Sequence, residues 1–446
     1  MKELNFPYND ITRDILKTLE KPSTSYVLMM ACIIGGVLLG GVCWTIQLRE
    51  GMGVAGLNHP VGWGVYITDF VFWVGIGHAG TLISAILFLF RARWRNAIFR
   101  SAEAMTIFAV MTAGLFPIIH VGRAWVAWWL VPYPNQRMLW VNFRSPLLWD
   151  VFAVSTYFSV SAIFFCIGLI PDIAAIRDRA KGLRRKIYGF LSVGWDSSNH
   201  QWRHYMAGYG FFAALATPLV LSVHSVVSWD FAVSIVPGWH STIFAPYFVA
   251  GAVFSGMAMV MTILIPFRKI FSIEKYLTLW HFDMMARLVL LTSSIVTYSY
   301  LTEYFIAWYS DDKFEQFIFW ERAFGKYAIP FWGMIFCNCI APLPLWFKSI
   351  RTNLKWVFVI TIFINIGMWF ERFNIIVSSL AQEYDPYAWG WYTPSIIEAG
   401  ITLGSFCWFF MWFFLFIKFF PSMALTEMKE LATPPMKGKK LAEEAA

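Results

Sequence analysis

Five ionisable side chains lie within strongly apolar stretches of the sequence: Asp69, His78, His120, Arg123 and Asp150. A charged group at the centre of a bilayer costs about 2.5–3.5 kcal/mol on insertion scales, so residues of this kind are functional candidates. His120 and Arg123 are three positions apart and would share one face of a helix. Asp150 opens the next apolar stretch, and Asp69 and His78 belong to the preceding one. The sequence therefore predicts a polar site built from three consecutive helices.

Histidine and aspartate together suit the oxidation of a lipid-borne hydroquinone, which releases two electrons and two protons. A neutral histidine accepts a proton from a ring hydroxyl near pH 7. A carboxylate at the other ring oxygen, or hydrogen-bonded to the histidine, takes or relays a proton. We predict His120 and Asp150 as the catalytic pair, with Arg123 holding a carboxylate ionised. The alternative is a structural His–Asp–Arg network that only joins helices.

A second set of polar residues lies in the seventh apolar stretch, at Asp283, Arg287, Ser294 and Tyr298. Spacings of four, seven and four place these side chains on one face of a helix. We interpret them as a candidate proton path. An internal ion pair between Asp283 and Arg287 explains the first two residues equally well.

The sequence contains no pattern that would hold a resident cofactor. The six cysteines form no CxxC pair, which disfavours an iron–sulfur or zinc cluster. No apolar stretch carries the paired histidines of a di-haem cytochrome b, and neither a Walker A nor a Rossmann motif occurs. We therefore expect no haem, metal or flavin in this chain, with quinol or quinone bound only as substrate. The electrons must then leave to a partner protein.

The composition shows which elements position these residues. Of 446 residues, 58% are hydrophobic and only 14% charged, whereas soluble proteins carry about 25% charged residues. This excludes a soluble enzyme, a disordered chain and a disulfide-stabilised secreted domain. Bilayer-spanning apolar segments recur along the chain. We predict an all-α polytopic membrane protein with ten transmembrane helices, at residues 25–47, 66–90, 102–130, 147–174, 205–229, 241–266, 278–308, 328–347, 354–377 and 394–420.

The connecting loops are alternately rich and poor in Lys and Arg along the chain. This distribution indicates which loops lie on the cytoplasmic side of the membrane. With ten spans, 26 Lys and Arg residues fall on the side of the two termini and six on the other side. The positive-inside rule then places both termini in the cytoplasm. The six opposite residues are Arg49, Arg137, Arg144, Lys313, Arg322 and Lys326. The net charge of +8 is thus a topology signal and does not indicate nucleic-acid binding.

A weak internal repeat appears when the sequence is shifted by 176 residues. It pairs Gly62, Trp63, Ile67, Phe72, Gly75 and Gly80 with Gly238, Trp239, Ile243, Phe248, Gly251 and Gly256. The repeat predicts two four-helix bundles, spans 2–5 and 6–9, with two peripheral helices. The predicted divisions are a cytoplasmic N-terminal segment (1–24), a peripheral helix with a periplasmic loop (25–60), the first bundle with the quinol site (61–230), the second bundle with the candidate proton path (231–380), a peripheral helix (381–420) and a cytoplasmic tail (421–446).

Several stretches resemble the NrfD-like family of polysulfide-reductase membrane subunits. They are GLNHPVGWGVYITDFVFWVGIGHAGTLISA (56–85), RSAEAMTIFAVMTAGLFPIIHVGRAW (100–125), NFRSPLLWDVFAVSTY (142–157), TPLVLSVHSVVSWDFAVSIVPGWHSTIFAPYFVAGAVFSG (217–256) and NIGMWFERF (365–373). Within this family the chain is most similar to the ten-helix, quinol-oxidising branch found in bacterial alternative complex III.

The resemblance implies a quinol pocket near the periplasmic face of the first bundle, in a bacterial inner membrane. His120 and Asp150 stand at the family's pocket positions, and Asp69 and His78 match it less closely. Menaquinol is the expected substrate. The implied partners are an iron–sulfur subunit, c-type cytochrome subunits, a homologous ten-helix membrane subunit and a terminal oxidase. The family also suggests proton translocation through the second bundle.

Two other classes of function stay open from the sequence. A secondary transporter could bind a small anion at the His–Asp–Arg cluster, and a membrane anchor subunit of the same complex would carry out no chemistry. Quinone-dependent electron transfer is expected of a quinol-oxidising subunit, and neither a transporter nor an anchor should show it.

Overall fold

The computed structural model describes residues 8–131 and 143–430, and within these ranges the chain is helical and contains no β-strand. Ten of the described helices are long and apolar enough to cross a membrane. The predicted all-α polytopic class with about ten spans is therefore confirmed. The first residues of the predicted N-terminal segment, most of the predicted tail and Arg137 lie outside the described residues.

Ten long helices form the spans, and shorter helices lie in some of the connections and beside the first and last spans. The spans are α2 (Thr24–Glu50), α3 (Gly64–Leu89), α4 (Phe99–His120), α5 (Pro146–Arg177), α7 (Asn199–Ala232), α8 (Phe244–Ile270), α9 (Leu279–Tyr309), α11 (Ala328–Trp346), α12 (Leu354–Ser378) and α13 (Ile396–Phe419). The shorter helices are α1 (Tyr8–Leu16), α6 (Gly182–Leu191), α10 (Lys313–Phe324) and α14 (Leu425–Glu430).

Local sequence signals account for several helix ends. The Ser198 side chain accepts a hydrogen bond from the Gln201 amide and caps α7. Ser395 and Glu398 form a reciprocal capping box at the start of α13. Both devices satisfy backbone amides that the first helical turn leaves without a partner.

The third predicted span is too long. It was expected to reach residue 130, but α4 ends at His120. Gly122 has φ of +78°, a left-handed conformation that glycine adopts without a steric penalty, and Arg123 follows in a non-helical conformation. A separate 3₁₀ helix then covers Ala124–Leu130. The prediction that Arg123 lies one helical turn beyond His120 on the same face is therefore wrong.

Helix α3 lies at the centre of the protein and packs mainly against α4 and α8. Small residues allow the close approach to α8: a Cβ added at Gly256 would lie 2.5 Å from the Ala79 Cβ. Helices α5 and α7 pack on each other, as do α8, α9 and α12, and the largely exposed α2 packs on α13. These contacts agree with two bundles and two peripheral helices, although α3 and α8, from different predicted bundles, also pack closely.

One pair of residues matched by the internal repeat meets in the structure. Trp63 and Trp239 stack with ring centroids 5.4 Å apart. Both residues precede the helices that the repeat aligns, α3 and α8, which pack against each other. The division of the chain into two bundles stays a prediction that this packing supports.

The first and last described segments meet on one side of the membrane region. Helix α1 contacts α14, and the buried side chains of Ile11 and Ile15 fix α1 in place. We call this side the terminal side and the opposite one the distal side. Because the spans alternate in direction, His120 ends α4 on the distal side, and Asp150 lies near the distal start of α5.

Candidate functional site

His120 is held at the distal end of α4 by contacts from two neighbouring helices. Its ring meets the ring of Tyr66 edge-on, with centroids 6.4 Å apart. The Tyr66 hydroxyl donates a hydrogen bond to the Gln47 side chain, whose amide donates to the Ile119 carbonyl at 2.9 Å. The His120 Nδ1 atom is buried and has no hydrogen-bond partner among the described residues. The surroundings thus fix the ring and leave a proton-accepting atom free.

Asp150 lies one turn into α5 and is buried beside a second carboxyl group. Asp230, near the distal end of α7, is its neighbour. No donor group within the described ranges reaches either oxygen of Asp150 or the Oδ1 atom of Asp230, so the two carboxyl groups have only each other as partners there. Two adjacent carboxyl groups in a medium of low dielectric constant repel each other when both are ionised, so such a pair holds a shared proton.

Asp230 was not predicted as a site residue, because polar residues at span ends are usually explained by caps or by contact with headgroups. A signal was nevertheless present in the sequence. Trp149–Asp150 and Trp229–Asp230 are the same dipeptide at the distal ends of consecutive spans. The two tryptophan rings contact edge-on, with centroids 6.0 Å apart, and this contact aligns the two aspartates.

The structure places His120 and Asp150 at the distal ends of the adjacent helices α4 and α5. No hydrogen bond in the described part of the chain joins their side chains. Arg123 does not join them either: it is exposed beyond the end of α4 and makes no ion pair in that same part. Its predicted role of holding a carboxylate ionised is therefore not supported by its position.

Asp69 lies where three helices meet and has satisfied hydrogen bonds. Its carboxylate accepts a bond from the Trp369 indole at 2.7 Å and one from the Thr402 hydroxyl at 2.6 Å. These bonds join α3 to α12 and α13. The arrangement suits a structural role better than contact with a quinol.

His78 lies deeper in α3 and faces a histidine that the sequence did not connect with it. Its Nδ1 atom is 2.6 Å from the Val74 carbonyl, and its ring stacks on Tyr157 with centroids 5.2 Å apart. The ring of His224, from α7, lies 4.5 Å away. Within the described residues His78 Nε2 and both nitrogens of His224 lack partners. His78 thus belongs to a buried histidine pair, separate from His120 and Asp150.

The predicted stripe on α9 divides into two parts. Asp283 binds Arg287 at 2.7 Å and also Arg351 at 2.7 Å, which agrees with the ion-pair alternative. Ser294 and Tyr298 are exposed, and 66% of the Tyr298 surface is accessible. Asp283 is buried, whereas Arg287, Ser294 and Tyr298 face away from the protein interior. Spacing along a helix does not tell which face is buried, and a proton path along the stripe stays a prediction.

The buried face of α9 contributes Tyr300 and Glu303 to a different polar set, which Asn338 of α11 and Glu371 and Arg372 of α12 complete. We call these five residues the interior cluster. The Tyr300 hydroxyl donates to the Glu371 carboxylate and accepts from the Asn338 amide at 2.9 Å. Glu371 and Arg372 form an ion pair at 2.8 Å. Glu303 borders two small cavities and has a buried oxygen without a partner in the described chain.

No group of three or more His, Cys, Asp or Glu side chains within residues 8–131 and 143–430 has an arrangement that could hold a metal ion. The groups that the site offers are proton acceptors and donors. His120 and the Asp150–Asp230 pair can remove protons from a ligand bound at the distal side. The interior cluster can hold and exchange protons within the second half of the chain.

Comparison with known proteins gives several relatives. A dimethyl sulfoxide reductase membrane subunit of Halobacterium salinarum is 28% identical over 53% of this chain and 49% of its own length. A selenate reductase subunit of Mesobacillus selenatarsenatis is 23% identical over 69% of this chain and 72% of its own. The Hdr-like menaquinol oxidoreductase integral membrane subunit of Archaeoglobus fulgidus is 22% identical over 34% of this chain and 36% of its own.

The chain thus spans about half the length of the Halobacterium relative. The family profile described as Polysulphide reductase, NrfD matches residues 53–382, which include α3 to α12. The matched range contains His120, Asp150 and Asp230, which we call the distal site. On this match the chain belongs to the NrfD family of polysulphide reductase proteins, as its sequence resemblance indicates.

Proposed function

We propose that this chain is the quinol-oxidising membrane subunit of a respiratory oxidoreductase complex. Membership of the NrfD family and the names of the relatives, which include a menaquinol oxidoreductase membrane subunit, support this assignment. The observation that carries it is a set of buried proton acceptors at the distal ends of neighbouring helices: the His120 Nδ1 atom, which has no partner in the described chain, and the Asp150–Asp230 carboxyl pair. A buried polar group without a partner is costly, which favours a ligand that satisfies it.

Oxidation of the quinol removes two electrons and two protons and leaves the quinone. In the proposed reaction His120 Nδ1 accepts the proton of one ring hydroxyl, for which the imidazole must start neutral. The Asp150–Asp230 pair accepts the proton of the other hydroxyl. A carboxyl pair that holds one shared proton still has one ionised carboxylate, which can accept a second proton. Both groups lie near the distal surface, so the protons are released on that side.

The two electrons pass to a partner subunit on the distal side. By family resemblance we propose an iron–sulfur subunit there, followed by c-type cytochrome subunits and a terminal oxidase, as in bacterial alternative complex III. A homologous ten-helix membrane subunit would complete the membrane part. Menaquinol is the proposed substrate. We also propose that the terminal side faces the cytoplasm, which the excess of basic residues on that side supports, and, by family resemblance, that the membrane is a bacterial inner membrane.

Proton translocation through the second half of the chain stays part of the proposal, with a changed route. The exposed positions of Ser294 and Tyr298 argue against a path along the predicted stripe. The interior cluster offers a hydroxyl and two carboxyl groups that can exchange protons, Tyr300, Glu303 and Glu371, and the Asn338 amide orients Tyr300 by a hydrogen bond. We therefore assign any proton path in this half to the interior cluster.

The test uses the purified complex carrying His120→Ala or Asp150→Asn. Loss of a positioned proton acceptor typically lowers the rate by about 100-fold or more, so both variants should assemble and lose most quinol-dependent electron transfer. His200→Ala is the matched control, because His200 is exposed at the terminal start of α7. Wild-type turnover in both distal variants would show that the chain is an anchor or that the quinol reacts elsewhere.

A further inference from the structure

An apolar cavity of about 240 Å³ lies between α2, α4 and α13, in the distal half of the membrane region. Helices α2 and α13 pack closely at one level, where a Cβ added at Gly40 would be 2.7 Å from the Gly404 Cα. Beside this crossing, the cavity is bounded by Trp44, Leu115 and Trp408. Because the other face of α2 is exposed, the cavity is next to the surrounding lipid.

Two tryptophans at the cavity have hydrogen-bond donors without acceptors. The Nε1 atoms of Trp44 and Trp408 are buried, and neither has a partner in the described part of the protein. A donor left unsatisfied in an apolar medium costs free energy, so a ligand with acceptor oxygens is favoured at such a site. The headgroup of a quinone has two such oxygens and can bond the indole donors as it passes them, whereas its isoprenoid chain matches the apolar lining of the cavity.

The cavity continues towards His120. Ile119 borders the cavity, and its carbonyl oxygen accepts a hydrogen bond from Gln47 at 2.9 Å. Gln47 lies three residues beyond Trp44 on α2 and accepts a hydrogen bond from Tyr66, whose ring contacts the ring of His120. The bridge between Gln47 and Tyr66 therefore separates the apolar cavity from the proton acceptor of the distal site.

From these contacts we propose that the α2–α4–α13 cavity binds the isoprenoid chain of a quinol whose headgroup reacts at His120. The inference rests on the proposed function and adds the route by which the substrate reaches the site. The headgroup passes the two indole donors and the Gln47–Tyr66 bridge, while the chain stays between α2 and α13. Access from lipid to the site is then from the α2 side of the protein.

The test fills the cavity from α2. A Cβ added at Gly41, which borders the cavity, meets no atom within 4 Å, so Gly41→Phe introduces a ring without a backbone clash. Gly35 on the same helix also has open space but does not border the cavity, so Gly35→Phe is the matched control. The KM and kcat of the purified complex are measured with a quinol carrying a long isoprenoid chain and with one that has no chain.

Gly41→Phe should raise the KM for the long-chain quinol by about tenfold and leave the kinetics with the chain-free quinol unchanged. Gly35→Phe should change neither. Leu115→Trp narrows the cavity from α4 and should have the same selective effect on the KM for the long-chain quinol. Because it changes a different helix, it still tests the proposal if Gly41→Phe fails to fold. An unchanged KM for the long-chain quinol, or an equal increase for both quinols, would overturn the proposal.

The result also distinguishes this proposal from the one it rests on. If both quinols are oxidised through His120 but the cavity variants behave as wild type, only the chain-binding site is wrong, and a lipid acyl chain occupies the cavity. If the wild-type complex oxidises neither quinol, both proposals fail.

Discussion

Asp150 and Asp230 are the side chains whose arrangement most directly suggests chemistry, since each is a buried carboxyl group with the other as its neighbour. If the two act as one proton-accepting unit, removing either should disable that unit. We expect Asp150→Asn and Asp230→Asn each to lower kcat, and the double variant to be no slower than the slower single variant. Groups that act together show this lack of additivity.

The measurement is a double-mutant cycle on kcat in the assembled complex, with Asp178→Asn as control because Asp178 is exposed on the terminal side. Multiplicative losses from the two substitutions would show that the carboxyl groups act independently. A wild-type rate in Asp230→Asn would remove Asp230 from the proposed site.

Helix α9 offers a comparison between a buried and an exposed tyrosine two positions apart. Tyr300→Phe removes a hydroxyl that binds both Glu371 and Asn338. An unsatisfied buried group costs about 1–3 kcal/mol, so the variant should unfold at a lower temperature. Tyr298→Phe, on the exposed face, should not change the unfolding temperature.

Thermal unfolding of the two purified variants in the same detergent checks the orientation of α9. Equal unfolding temperatures would mean that the interior cluster contributes no stability. A larger loss in Tyr298→Phe would mean that the predicted stripe, and not the interior cluster, is the buried face.

The existence and approximate limits of the spans could be predicted because hydropathy and length are local properties of the sequence. The end of α4 could not be placed: the apolar stretch continues through the tryptophans after Gly122, although the backbone turns at that glycine. Which face of α9 is buried could not be predicted from the sequence either. Its apolar residues surround the helix, so only packing against neighbours decides that Tyr300 is buried and Tyr298 is exposed.

The candidate site was predictable only in part, for the same physical reason. His120 and Asp150 stood out because each interrupts an apolar stretch. Their surroundings depend on contacts between segments far apart in the sequence, such as Asp150 with Asp230 and His78 with His224. A single sequence carries little information on such pairs, and the repeated Trp–Asp dipeptide is the one local hint.

At the scale of the whole molecule, α1 packs on α14 at the terminal side, and Asp14 attaches α1 to the segment before α9. Asp14 accepts a hydrogen bond from the Tyr276 hydroxyl at 3.0 Å and pairs with Lys275. Burial opposes ionisation of this carboxyl, but the hydrogen bonds from Lys275 and Tyr276 outweigh it and lower the pKa of Asp14. An unfolded Asp has a pKa of about 3.9. The stabilisation is therefore present above that value and is lost only as the pH falls through the lower folded pKa.

Docking of α1 should consequently be constant between about pH 5 and pH 8, and Asp14→Asn should weaken it throughout that range. Hydrogen exchange of the α1 amides, normalised to the intrinsic rate at each pH, measures this docking. Asp10→Asn is the control, because Asp10 lies on the same helix and pairs with the exposed Arg13. Protection that changes across this pH range in the unaltered chain, or equal protection in the two variants, would contradict the assignment.

The central claim is that the quinol reacts at the distal site between α4 and α5. The most direct measurement is a structure of the assembled complex with a bound quinone analogue. We predict a ring oxygen within hydrogen-bond distance of His120 Nδ1, about 2.6–3.2 Å, and the other ring oxygen facing Asp150. An analogue bound at the His78–His224 pair, or on the terminal side, would contradict this claim.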